Sequence, residues 1–192
     1  KPGAPQSVIR AGHLTLPRHH PDYYALTFLN YIFGGQFSAR LNSNLRQDKG
    51  YSYGYMSSID WSTGPSALIA GGGVQTAVTK EAVAETLTEF AEIHGSRPVT
   101  EKEFKDARDG ILRALPSQFE TRFQLLHRLV QLVVFDLPDE YLRDLQDHIK
   151  AVSLEDVRRV SQERFHDDHL KILVVGDGGA IEPGLRELGL PM

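Results

Sequence analysis

The sequence predicts an α+β fold: a mostly antiparallel β-sheet in two layers, with helices packed on one face. Three observations predict it. The apolar pattern runs strand, helices, hairpin, a long helical tract and a closing strand, so strands and helices do not alternate one by one as a doubly wound parallel sheet requires. The runs "YSYGYMSSIDW" (51–61) and "SALIAGGGVQ" (66–75) alternate on either side of the turn-like "STGP" and read as a hairpin. The composition, 41% hydrophobic and 24% charged over 192 residues, is that of an ordinary globular chain. That length buries a substantial core as one domain, residues 1–192, and is short for two.

Each element has its own signal. After the lead "KPGAP", "SVIRAGHLTL" reads as a strand. "HPDYYALTFLNYIFGG" places Tyr23, Leu26, Leu29, Ile32 and Phe33 near the 3.6-residue period and ends in a glycine pair, so it reads as a helix. Ser38 is the expected N-cap of a short second helix whose apolar face holds Leu41 and Leu45, with Gly50 at its C′ position. A helix follows over Thr79 to His94, ended by Gly95. Thr100 and Glu103 form a capping box ahead of Phe104, Ala107, Ile111 and Leu115. Pro116 kinks or ends that helix, and Ser117 with Glu120 repeats the box ahead of Phe123, Leu126, Val130 and Val133. "LPDEYLRDLQDHI" and "SLEDVRRVSQERF" are two more amphipathic helices. The apolar "LKILVVGD" reads as a strand in the middle of the sheet.

Net charge of −4 and a pI near 6.1 argue against a nucleic-acid or anionic-membrane partner, either of which favours a basic face. With no cysteine there is no disulfide, no thiolate chemistry and no sulfur-ligated zinc. The compartment stays open, cytoplasmic or periplasmic. The most apolar stretch, "LVQLVVF", is too short to span a bilayer. A start at Lys1 without a leader-like segment is expected of a piece excised from a longer polypeptide.

No complete catalytic centre is legible. Zinc on a helix needs His-Glu-x-x-His or its inverse, and neither occurs; the closest pair, His166 and His169 in "HDDH", sits in a polar link and reads as a solvated loop. No Gly-x-Ser-x-Gly elbow is present. "GGGV" (71–74) and "GDGG" (176–179) lack the strand–loop–helix setting of a phosphate cradle and read as bulge and turn. No catalytic residue, metal ligand or resident cofactor is therefore expected in this chain. Tyr51, Tyr53 and Tyr55 are expected to share one strand face, either as an aromatic ladder or as a row of phenols at a site. Arg46, one turn before Gly50, reads by itself as a solvated charge at the negative end of a helix dipole.

The segment "LNYIFGGQFSARLNSNLRQDKGYSYGY" (29–55) resembles the second domain type of pitrilysin/insulinase-like zinc peptidases, the inverzincin family that includes mitochondrial processing peptidase and the core proteins of the bc1 complex. "PSQFETRFQLLHRLVQLVVFDLPDEYL" and "AVSLEDVRRVSQERF…LKILVVGD" resemble later segments of that domain in the right order, so the similarity covers nearly all of residues 5 to 190. The resemblance implies a non-catalytic C-terminal domain of one half of a clam-shell peptidase. Zinc would be held by His-x-x-Glu-His on a homologous partner domain or subunit, in a dimeric arrangement acting on peptide substrates. It carries a substrate-gripping Arg and Tyr, seven residues apart, onto Arg46 and Tyr53, and makes Ser38, Arg40 and Leu41 a structural motif. Tyr51 stands where many relatives have leucine. Two other readings stay open: an assembly domain like the bc1 core proteins, without peptidase activity, and a free-standing module that binds peptides along a sheet edge.

Overall fold

The computed structural model describes residues 1–165 and 168–191 of the chain. Its strands β1 (Gln6–Thr15), β2 (Ser52–Asp60), β3 (Ser66–Gln75) and β4 (Lys171–Val175) form one sheet of order β2-β3-β1-β4, antiparallel at every pairing. Successive side chains of a strand point to opposite faces, and here the two faces differ sharply. Ile9, Ala11, Tyr55, Leu68, Ala70 and Val74 are buried on one; Val8, Leu14, Met56, Leu173 and Val175 are exposed on the other. The fold is thus the expected mixed one, with an antiparallel sheet covered by helices on one side.

The helices are α1 (Tyr23–Phe33), α2 (Arg40–Asn42), α3 (Thr79–His94), α4 (Glu101–Ala114), α5 (Arg122–Val134), α6 (Tyr141–Ala151), α7 (Leu154–Arg164) and α8 (Gly178–Arg186). α1 lies against β2, α3 against β1 and β3, and α7 packs on both helices. The layers lock through three rings: Phe33 of α1, Phe90 of α3 and Phe165, just past α7, with centroids 4.6, 4.8 and 5.5 Å apart. Such pairs add about 0.5–1.5 kcal/mol each beyond the area they bury.

The capping box at Thr100 and Glu103 forms as expected. Arg40 reaches the same glutamate, its Nε and Nη2 donating to Glu103 Oε1 and Oε2 at 2.7 and 2.8 Å. Burial favours the neutral acid, but the Arg40 guanidinium and the Thr100 backbone and hydroxyl outweigh it, and the Glu103 carboxyl falls to about 2. Arg40 also donates to the carbonyls of Arg97 and Pro98 at 2.5 and 3.2 Å. With Leu41 fully buried, the motif around Arg40 ties α2 to the start of α4.

Four expectations are corrected. Among the described residues β4 is an edge strand that pairs only with β1. Its apolar character on both faces reflects an apolar open face, with Leu173 and Val175 exposed, and a five-residue run cannot distinguish that from central burial. Ser38 does not cap α2: the N-cap position is Ala39, and the Ser38 hydroxyl donates to Gln36 Oε1 at 2.8 Å. The box before α5 is Thr121 with Gln124, because Pro116–Phe119 forms a 3-10 turn in which the Ser117 hydroxyl turns back to the Ala114 carbonyl at 2.8 Å. "GDGG" joins β4 to α8 in a strand–loop–helix context. Its glycines and Pro183 hide that helix from any propensity argument; burial of Ile181 and packing on α3 stabilise it instead.

Close packing of strands makes a sharp test of this sheet. A Cβ at Gly71 would lie 2.0 Å from the Ile9 carbonyl oxygen, whereas one at Gly73 would meet only Gln6 Oε1 at 3.7 Å. Gly71→Ala is expected to cost about 3 kcal/mol or more and Gly73→Ala less than about 1 kcal/mol, measured by urea denaturation. The lowered Glu103 pKa gives a second test. A group depressed on folding stabilises above its unfolded pKa and loses that contribution as pH falls toward the folded value. The stability advantage of wild type over Glu103→Gln is therefore expected to be full above about pH 5 and to shrink between the ordinary 4.5 and about 2.

Candidate functional site

The hairpin and the turn before it carry the residues of interest. Between the pairs Ser52–Val74 and Tyr55–Gly72, β2 has two residues where β3 has one. Tyr53 and Gly54 together oppose Gly73, a β-bulge. The Ser52 hydroxyl stitches its inner side, accepting from the Gly54 N–H at 3.0 Å and lying 2.7 Å from the Gly73 carbonyl oxygen.

The bulge overturns the expected tyrosine row. One extra residue shifts the alternation between positions 53 and 55, leaving Tyr53 89% exposed and Tyr55 fully buried. The Tyr55 hydroxyl sits 2.7 Å from Thr86 Oγ1, and burial pushes its pKa up to about 12. Tyr51 packs half-buried against the core. Of the three, Tyr53 is exposed, Tyr51 half-buried and Tyr55 fully buried.

Arg46 stands on a different support. α2 runs into a π-helical turn, Ser43–Asp48, with Arg46 in its last turn. Gly50, at φ +66°, ends it in the expected left-handed conformation, and the Tyr51 N–H returns to the Leu45 carbonyl at 2.9 Å. The turn is anchored below by Leu45, fully buried, and sideways by Asn44, which donates to Glu85 Oε2 at 2.9 Å and Glu89 Oε1 at 2.8 Å on α3. Burial raises the Glu85 pKa, but Asn44 and Lys49 outweigh it and hold the carboxyl below its ordinary value. Glu89 is paired with Arg97. These carboxylates therefore serve other partners than Arg46.

The Arg46 guanidinium lies 4.4 Å from the ring centroid of Phe37, itself 61% exposed. Among the described residues it has no ion pair or side-chain hydrogen bond, and no such bond or cation–π contact joins it to Tyr53. The structure sets Tyr53 in solvent and Arg46 half-buried over Phe37, each on a fixed support and not in direct contact.

Phe37 was not anticipated, and its sequence neighbourhood carries no signal for it. Gly54 inside a strand was the available signal for the bulge. The outer edge of β2 is partly closed: the Tyr55 N–H donates to Asn42 Oδ1 at 3.1 Å and the Ser57 N–H to the Gly34 carbonyl at 2.9 Å. A peptide could not pair with those two amides, which counts against strand addition there. Among the described residues no group of three or more His, Asp or Glu side chains could hold a metal ion. His166 of the "HDDH" pair lies outside the described residues. No described helix is long and apolar enough to cross a membrane.

Comparison with known proteins places this geometry in a family. Residues 1–111 match the family model described as the Peptidase M16 inactive domain. The chain is 25% identical over 177 residues to YmxG, an uncharacterized zinc protease of Bacillus subtilis, covering 90% of this chain and 42% of that protein. It thus spans less than half the length of that relative. The peptidase M16 inactive domain from Pseudomonas fluorescens superposes with a TM-score of 0.80 at 23% identity, over 91% of this chain and 41% of that one. A chain of Complex III2 from Candida albicans gives 0.79 at 16% identity, over 98% and 48%. These structural likenesses establish a shared fold. Because the family model matches more than half of its residues, the chain belongs to the peptidase M16 inactive-domain family.

Proposed function

We propose that residues 1–192 act as one domain that completes the substrate cleft of a zinc peptidase, with Arg46 and Tyr53 gripping the peptide in trans to a zinc site on another domain or subunit. The observation that carries this reading is that Tyr53 is 89% exposed and Arg46 half-buried over Phe37, both without side-chain hydrogen-bond partners among the described residues, yet both on fixed supports. A guanidinium and a phenol held in advance donate hydrogen bonds to a peptide carbonyl, and more strongly to the oxyanion it becomes during hydrolysis. The metal chemistry belongs to the partner, which we take to be a homologous domain bearing His-x-x-Glu-His. That YmxG is more than twice as long as its matched segment supports such a companion.

A second feature supports a protein partner. α5 has no buried residue, and Phe123 and Val133 are 81% and 84% exposed, with Leu126, Val130 and Val134 also exposed. A helix this apolar on its open surface marks a protein contact, and we assign it to the homologous domain. The alternative, an assembly domain without peptidase activity, is supported by the likeness to a chain of Complex III2.

The two readings separate in a reconstituted assembly. Arg46→Ala and Tyr53→Phe are each expected to lower the turnover of peptide hydrolysis about 10²–10³-fold. Wild-type rates in both would overturn the grip, and an assembly that needs this chain yet cleaves nothing would favour the structural role. The chain alone is expected to retain no stoichiometric zinc after dialysis and to cleave no peptide, checked by metal analysis and a peptide digest.

A further inference from the structure

The grip needs Arg46 and Tyr53 at a fixed separation, although neither touches the other. One buried amide is bonded to the supports of both. Asn42 is 1% exposed; its Nδ2 donates to the Phe37 carbonyl at 2.7 Å and its Oδ1 accepts from the Tyr55 N–H at 3.1 Å. Phe37 is the platform under the Arg46 guanidinium. Tyr55 is the first residue paired after the bulge that turns Tyr53 outward, and its N–H points away from β3 to the outer edge, where no strand can take it. We infer that Asn42 is a positioning residue that sets the distance between the arginine platform and the tyrosine bulge, so that the two donors meet one carbonyl together. This rests on the reading of Arg46 and Tyr53 as the substrate grip.

The chemistry admits few substitutes. The site needs a donor toward Phe37 and an acceptor toward Tyr55 on one short planar group, which only the asparagine amide or a protonated aspartic acid supplies at this length. An aspartate carboxylate keeps the shape and the Tyr55 bond but sets an oxygen against the Phe37 carbonyl oxygen. The platform then moves away from the bulge.

The test is Asn42→Asp in the reconstituted assembly, compared with wild type at each pH. The expected result is at least an about fivefold loss of kcat/KM at pH 8, shrinking as the new carboxyl protonates, and no further loss when added to Arg46→Ala with Tyr53→Phe. An unchanged kcat/KM, a loss independent of pH, or an equal loss in the double-variant background would overturn the positioning role while leaving the grip standing. Wild-type rates for Arg46→Ala and Tyr53→Phe would remove the grip and this inference with it. A second arm needs no partner: in Asn42→Ala, hydrogen exchange is expected to accelerate at least about tenfold in residues 36–41 and 52–56 together, with α3 and β1 unchanged. Acceleration in neither segment, or in only one, would overturn the coupling.

Discussion

Between Ser52 and Tyr55, β2 sets two residues against one on β3, and the direction of the side chains around it follows from that count. Because strand side chains alternate with a period of two, an insertion of one reverses the assignment of faces. Tyr55 thereby enters the core and bonds to Thr86, Ser52 stitches the inside of the bulge, and Tyr53 is left in solvent. Without the insertion, Tyr53 and Tyr55 would share a face, and the core could not hold one phenol while the surface displayed the other.

The supports of the site are stiff for identifiable reasons. The π-helical turn that carries Arg46 hangs from buried Leu45 and from Asn44 between two glutamates of α3. The preceding α2 is fixed by Arg40, whose guanidinium spans Glu103 and two backbone carbonyls. Both anchors lead to the layer that covers the sheet. The position of Arg46 is therefore set by the core rather than by its own loop, as an electrostatic donor needs if it is to act without reorganisation.

The same chain leaves apolar surface in two places, the uncovered sheet face and helix α5. A domain of this size ordinarily buries such surface or uses it. The relative YmxG is more than twice the length of the segment this chain matches.

Much was legible in the sequence alone. The α+β class, the hairpin, the box at Thr100 and Glu103 and the left-handed Gly50 follow from periodicity, capping chemistry and glycine's tolerance of positive φ, all of which are local. The edge position of β4, helix α8 and the facing of the tyrosines were decided elsewhere. In each case an alternative of similar local energy was available, and contacts between residues far apart in sequence chose between them: Ile181 against the body of the fold, β1 as the single partner of β4, and the amide of Asn42 on the Tyr55 N–H. Local pattern fixes which elements form; the register of one strand against another, a non-local quantity, fixes which side chains they display.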